Sequence, residues 1–250
     1  MASLPSSDLW FWHFEGGGIS GGFTWRGPDD ANDFRLPGDA IDPPLPFAAL
    51  CDRLGASSMI VGEQVHGRRV FSLTSGARKG WLVVPECDGL VTPTPGIALA
   101  VRAADCVPIL LWVQGAAVAA LHAGWRGLAE GVVATAVARL LRLGHRASDI
   151  YAALGPSIGP CCYEIGPDAA AKLSALPGGE DAVLRRGGGS WFADLPMLAR
   201  AQLAATGLRA AHIVTPGECT SCRGDLFFSH RRDGVESGRQ IGVIVLTPSD

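Results

Sequence analysis

Two histidines and a cysteine stand where a chain of alternating strands and helices does chemistry. His66 lies in "EQVHG", Cys106 in "ADCVP" and His122 in "LHAGW", each bordering a run of apolar strand formers. His66 and His122 read as strand ends and Cys106 as a strand start, so one sheet edge could gather all three. Two imidazoles and a thiolate are the donors of an open zinc site, in which a fourth position stays free for chemistry. The separations, 40 residues from 66 to 106 and 16 from 106 to 122, match no short metal motif. The plainer alternative is that Cys106 is a small buried hydrophobe and each histidine a satisfied or exposed ring. Asp105 could orient either imidazole from behind or simply cap the turn.

Other stretches add groups suited to an anion. "HAGWRGL" puts Gly124, Trp125, Arg126 and Gly127 at the mouth of a helix, where free N–H groups and the helix dipole favour negative charge. Arg126 could add a bidentate contact to phosphate or carboxylate; equally, the glycines could serve only the strand-to-helix turn, with Trp125 packed on the core. "FFSHRRDG" carries Ser229, His230, Arg231 and Arg232, donors for an anionic substrate or a solvated charged hairpin. "GPSIGPCCYEIG", with Cys161, Cys162, Tyr163 and Glu164, suits a shaped pocket wall or a tight loop. "ECTSC" is a C-x-x-C formed by Cys219 and Cys222, but no second pair or histidine cluster follows at zinc-finger spacing, which favours loop cysteines.

The elements that must position these residues follow from periodicity. "SSMIVGEQVHG" reads as a strand running into a polar loop, and "RRVFSL", "GWLVVP", "GIALAVRA", "VPILLWV" and "AAVAALHA" as further strands, several apolar on both faces. From Gly127 to Gly144 the apolar residues Leu128, Val132, Val133, Ala136, Val137, Leu140 and Leu141 repeat at helical spacing, predicting one amphipathic helix ended by Gly144. "DIYAALGPSIG" reads as strand and turn, "GPDAAAKLSAL" as a short helix with Pro167 in its first turn, and "DLPMLARAQLAATG" as a helix capped by Asp194. "AAHIVTPG" and "QIGVIVLTP" close the chain as strands, and residues 1 to 56 give only short strand-like pieces among Gly, Pro and Asp clusters.

Bulk properties bound the partners. The 250 residues suit one large domain, and 48% apolar against 18% charged residues excludes disorder. A net charge of −3 and no basic cluster longer than "HRR" speak against nucleic acid and for a small-molecule partner. No apolar run approaches the roughly 18 residues of a membrane span, and the start lacks the basic and apolar regions of a signal peptide. Seven cysteines, an odd number, suit thiols in a reducing compartment, so a cytoplasmic protein without membrane contact is expected.

In order, "GEQVHG", "ADCVPILL", "HAGWRGLAEGVV", "GPSIGPCCYEIG" and "DLFFSHRRDGVESGRQIGVIVL" resemble the signature blocks of the laccase-domain family, also called YfiH-like or multicopper polyphenol oxidase-like, from about Met59 to Leu246. The resemblance implies a single α/β domain over 1–250, a layered α-β-β-α sandwich with mixed sheets. It also implies a zinc site on His66, Cys106 and His122, which would be metal ligands and catalytic residues together. Arg126, Ser229 and Arg231 would then bind substrate or phosphate, with Asp105, Cys162 and Tyr163 in support. Family members are reported as purine nucleoside phosphorylases that also deaminate adenosine and cleave methylthioadenosine, so nucleoside and phosphate are the implied partners. The same family carries a copper-dependent polyphenol oxidase label and a proposed role in editing peptidoglycan precursors, for which Cys106 with a histidine would be the nucleophile.

Physical chemistry ranks these activities. Multicopper oxidation needs further copper ligands, yet histidine is sparse outside the site and methionine numbers three. Zinc suits attack of water on adenosine C6, and phosphorolysis needs an anion site that Arg126 and the Ser229–Arg231 segment could form. A non-catalytic, zinc-stabilised binding domain is the alternative from another class. One departure bears on phosphorolysis: where the family has a basic "RxGGVS" block this chain reads "FEGGGIS", with Glu15 and Gly16 in place of basic residues, leaving Arg26 as the nearby cation.

Overall fold

Strands apolar on both faces need a layer on each side. The computed structural model describes residues 10–36, 45–73, 80–216 and 218–248, and in it these strands have both layers. In chain order the strands are β1 (Trp10–Gly16), β2 (Ile19–Thr24), β3 (Ser58–Gly62), β4 (Val70–Ser72), β5 (Gly80–Val84), β6 (Gly89–Thr92), β7 (Ile97–Ala103) and β8 (Val107–Val113). They continue as β9 (Ala117–Ala123), β10 (Tyr151–Leu154), β11 (Glu164–Ile165), β12 (Val183–Arg185), β13 (Trp191–Ala193), β14 (Ile213–Val214) and β15 (Gln240–Leu246). The helices are α1 (Leu45–Leu54), α2 (Trp125–Glu130), α3 (Val132–Arg142), α4 (Pro167–Ser174), α5 (Gly179–Ala182), α6 (Leu195–Ala205) and α7 (His230–Asp233).

Two six-stranded sheets, ordered β1-β2-β15-β7-β3-β5 and β14-β10-β8-β9-β6-β4, each mix parallel and antiparallel pairs. Between them lies a core that takes Phe23, Leu99 and Ile244 from the first sheet and Leu90, Leu110 and Val118 from the second. The outer face of the first sheet packs Met59, Val61 and Val243 against Phe47 and Leu50 of α1. The outer face of the second packs Ile109, Leu111, Ala119 and Leu121 against α3 and α6 through Val133, Val137, Leu140 and Leu203. Helix, sheet, sheet and helix therefore stack in four layers, an α/β fold with mixed sheets.

Several elements differ from the periodicity reading. The single helix expected from Gly127 to Gly144 is two, because Gly131 takes a left-handed conformation (φ 87°, ψ 39°) that ends α2 and starts α3. A helix tolerates such a residue only at a cap. Gly144 does follow the last turn with φ 93°. Helix α1 falls in a region read only as strand-like pieces, β6 in a stretch without alternation, and β11, β12 and β13 form a small third sheet outside both layers. Asp194 caps α6 as expected, accepting from Met197 N at 2.9 Å, and Pro167 opens α4. No helix among the described residues is long and apolar enough to cross a membrane.

Candidate active site

The register of one hairpin places two donors together. β8 and β9 are antiparallel with Pro108 opposite His122. Side chains alternate along a strand, so Cys106, two residues before Pro108, shares a face with His122 at the same end of the hairpin. That is the face turned between the sheets, since Leu110, Val118 and Ala120 belong to the central core. The third donor comes from the other sheet: β3 ends at Gly62 and the following loop carries His66 back over the gap. His66 is therefore a loop residue rather than a strand end, and its φ of 63° is left-handed, a conformation uncommon outside glycine.

A buried acid holds this arrangement. Asp88 is fully buried, and its carboxylate accepts from the backbone N–H groups of Val65 (3.2 Å), His66 (2.9 Å) and Gly67 (2.8 Å). It also binds Nδ1 of His122 at 2.8 Å. One carboxylate thus pins the left-handed loop and fixes the His122 ring with Nε2 directed away from it. Burial works against its charge, but His122 and the N–H groups of Gly67 and Val65 prevail and hold the Asp88 carboxyl below its usual range. Asp105 is open in the sequence either to orienting one of the two imidazoles or to capping the turn, and at His122 the orienting carboxylate is that of Asp88. Asp105 instead accepts from Thr220 Oγ1 and from Arg231 N, both at 2.6 Å, with a φ of 93° of its own.

The donor atoms of His66, Cys106 and His122 all lie within 4.8 Å of one another. The two imidazoles meet edge to face with centroids 4.8 Å apart. Burial disfavours the Cys106 thiolate, yet the His122 charge and hydrogen bonds from both histidines bring its pKa down to about 6. Burial likewise disfavours the His122 imidazolium, and Cys106 together with Asp88 raises it to about 9. These are mutually supporting charges, a thiolate beside an imidazolium. The set fits a metal ion: bonds of about 2.0–2.3 Å reach three donors spaced in this way and leave a fourth position open. Gly124 keeps the space clear, since a Cβ there would stand 2.9 Å from Cys106 Sγ and 3.0 Å from His66 Cδ2.

Over these donors opens a cavity of about 530 Å3. Trp125, Arg126, Tyr163, His230 and Arg231 line it, as do Gln64, Arg102 and Arg239, to which the sequence reading assigns no role. Arg126 lies over the Trp125 ring at 4.6 Å, and Arg231 over the Tyr163 ring at 5.1 Å while donating to the carbonyls of Cys162 and Glu164. Arg102 and Arg239 donate to backbone carbonyls, of Gly62 and of Ser237 and Gly238. Burial, and then the charge of Arg239, lowers Arg102 to about 10, which still leaves it cationic at neutral pH.

Two expected contacts lie elsewhere. Ser229 is fully buried and caps α7, accepting from Arg232 N, so it serves the helix and not the cavity. Cys162 turns its thiol toward Cys222 and reaches the site only through its carbonyl. Arg26, the cation nearest the altered N-terminal block, is engaged with Asp30 and the Gly224 carbonyl and does not line this cavity.

The family model described as multi-copper polyphenol oxidoreductase laccase matches residues 47–247, a span that contains the three donors and the four cavity arginines. The chain belongs to this laccase family. Among its relatives, a protein of Geobacillus stearothermophilus named purine nucleoside phosphorylase YlmD is 40% identical over 196 residues, 73% of this chain and 70% of that one. An adenosine deaminase named RL5, from an unknown prokaryotic organism, is 40% identical over 155 residues, 61% of this chain and 59% of its own. The crystal structure of a Bacillus licheniformis protein titled hypothetical protein YfiH superposes with a TM-score of 0.79 at 29% identity, covering 92% of this chain and 93% of that one. The fold is thus shared with that protein over nearly the whole chain.

Proposed function

We propose that this enzyme is a zinc-dependent purine nucleoside phosphorylase acting on adenosine, inosine and methylthioadenosine, with adenosine deaminase activity at the same site. One observation carries the reading: an open His66, Cys106, His122 donor set lies beneath a cavity walled by Arg102, Arg126, Arg231 and Arg239. Zinc held by such a set supplies Lewis acidity at neutral pH. The four arginines bind phosphate and hold one of its oxygens against the anomeric carbon of the nucleoside. In that step the C1′–O bond forms, the C1′–N9 bond breaks and the purine takes up a proton. Tyr163, pushed up to about 12 by burial and then by the Cys106 charge, keeps its phenolic proton and serves as a donor, while the Trp125 face suits a planar base.

The names of the relatives support both activities, and the donor chemistry supports zinc over copper, because a laccase would need a second group of copper ligands that this cavity does not offer. Seven free thiols support a reducing, cytoplasmic setting. The test is base release from adenosine and inosine, followed by liquid chromatography, with and without phosphate, on protein of known metal content. Free base that depends on phosphate and on zinc is the expected outcome, and inosine formed from adenosine without phosphate marks the deaminase. Turnover of neither nucleoside overturns the reading. A second reading rests on the alignment of Asp88, His122 and Cys106, an acid, a base and an ionised thiol in series, as in thiol hydrolases. It requires hydrolysis of an acyl or peptide bond, such as one in a peptidoglycan precursor, that survives chelation and is lost on alkylation of Cys106.

A further inference from the structure

Four cysteines with no part in the chemistry above converge behind the cavity wall. Cys161 and Cys162 follow the turn that leaves β10, and Cys219 and Cys222 sit in the loop ahead of α7, so Cys162 and Cys222 are 60 residues apart in sequence. The sequence offers no second pair at finger spacing after the C-x-x-C; the fold supplies one from upstream. The two loops are joined by a parallel bridge between Ser157 and Cys219 and by Thr220 N donating to Ser157 O at 3.1 Å.

The four Sγ atoms all lie within 4.8 Å of one another, with Cys222 at 3.5 Å from Cys161 and 3.4 Å from Cys162. All four are free thiols. Gly159 N donates to Cys219 Sγ at 3.2 Å, a backbone contact that favours a thiolate there. Four sulfurs bound tetrahedrally at about 2.3 Å from one ion stand about 3.8 Å apart, so these spacings are close to those of a bound set. Neither the adjacent Cys161–Cys162 pair nor the loop contacts account for drawing four thiols to a single point.

We propose that Cys161, Cys162, Cys219 and Cys222 form a second metal site, a closed four-thiolate site that takes zinc. Four protein donors leave no open position, so its role is structural. Its place in the fold says what it holds. Cys162 precedes Tyr163 of the cavity wall and offers its carbonyl to Arg231. Thr220, between the two loop cysteines, donates to Asp105, the neighbour of Cys106. The ion would clamp two loops that together present Tyr163, Arg231 and the Asp105 turn to the cavity.

The test is zinc content of the full chain purified under reducing conditions, measured by mass spectrometry of the metal. About two zinc per chain are expected, falling to one in Cys219→Ser/Cys222→Ser and, independently, to one in His66→Ala/His122→Ala. Cobalt titration of the His66→Ala/His122→Ala protein provides a readout that does not depend on the cysteine variant folding: an intense sulfur-to-cobalt charge-transfer band with tetrahedral visible bands is expected. A single zinc in the wild type that Cys219→Ser/Cys222→Ser leaves in place overturns the proposal. So does an absent cobalt band, or a denatured mass lower by about two units for each disulfide formed among the four.

Discussion

Asp88 is the residue on which the donor set turns. Its Oδ1 receives His66 N and His122 Nδ1, and its Oδ2 receives Val65 N and Gly67 N. Asparagine at this position is isosteric but would aim an NH2 group at one of those donor pairs, leaving buried N–H groups opposed rather than paired. Asp88→Asn is therefore expected to weaken zinc binding by about 10–100-fold, the usual effect of removing a partner behind a ligating histidine. Competition against a chromophoric chelator measures it, and unchanged affinity would mean that packing alone holds the ring. Arg102 poses a different question, because among the described residues its guanidinium has only the Gly62 carbonyl as a hydrogen-bond partner, at 3.4 Å, and has Arg239 as its charged neighbour. If it binds phosphate, Arg102→Met should raise the phosphate KM by about tenfold to a hundredfold, the roughly 1.5–3 kcal/mol of a hydrogen bond to a charged group. The KM for nucleoside should stay near wild type, and an equal rise in both would assign Arg102 to the cavity's general shape instead.

At the scale of elements, the site is a junction. β8 and β9 bring Cys106 and His122 from one sheet, the loop after β3 brings His66 from the other, and α2 starts just beyond His122 at Gly124. Gly124 has an ordinary extended conformation (φ −78°, ψ 172°), so alanine fits its backbone but not its surroundings, where Cys106 Sγ and His66 Cδ2 stand about 3 Å from the new methyl. Gly124→Ala should accordingly leave the melting temperature of the metal-free protein within a few degrees of wild type while spreading the donors and reducing zinc occupancy and turnover together. A large loss of thermal stability with normal zinc content would refute that division. The same junction explains which parts were legible beforehand. β7, β8 and β9 announce themselves because both their faces are buried and apolar, and α6 because Asp194 caps a regular apolar repeat. The break at Gly131 is hidden because Val132 and Val133 continue the apolar stripe across it, and β6 because "GLVT" is buried on both faces without alternation. Asp88, Arg102 and Arg239 escape notice for a related reason: their roles exist only through contacts made across the sheet edge. The four-cysteine cluster likewise depends on a meeting of loops that linear spacing does not record.

At the scale of the whole molecule, a chain of net charge −3 keeps a cavity lined by Arg102, Arg126, Arg231 and Arg239, a local positive field suited to drawing anions into an otherwise acidic protein. Beneath it the Cys106–His122 pair ties folding to pH. Burial opposes both charges, and each is nevertheless sustained by the other, with Asp88 assisting His122. Cys106 is an acid whose folded pKa is lowered from 9.0 to about 6, so its contribution to stability is full above the unfolded value and is lost as pH falls through about 6. His122 is a base whose folded pKa is raised from 6.5 to about 9, so its contribution is full below the unfolded value and is lost as pH rises through about 9. Between pH 6.5 and about 9, where thiolate and imidazolium coexist in the folded protein, the rising Cys106 contribution and the falling His122 contribution offset each other. Metal-free protein should therefore melt at a nearly constant temperature from about pH 6.5 upward and lose a little stability only as pH falls through about 6, where the folded thiolate takes up its proton. Cys106→Ala should remove that compensation, so that stability falls as pH rises above about 6.5 toward a folded His122 pKa below 9, since His122 then keeps only Asp88 as its charged support. Calorimetric melting across pH 5 to 10 with a chelator present measures both, and a Cys106→Ala profile that superposes on wild type would show that the pair is neutral in the folded protein.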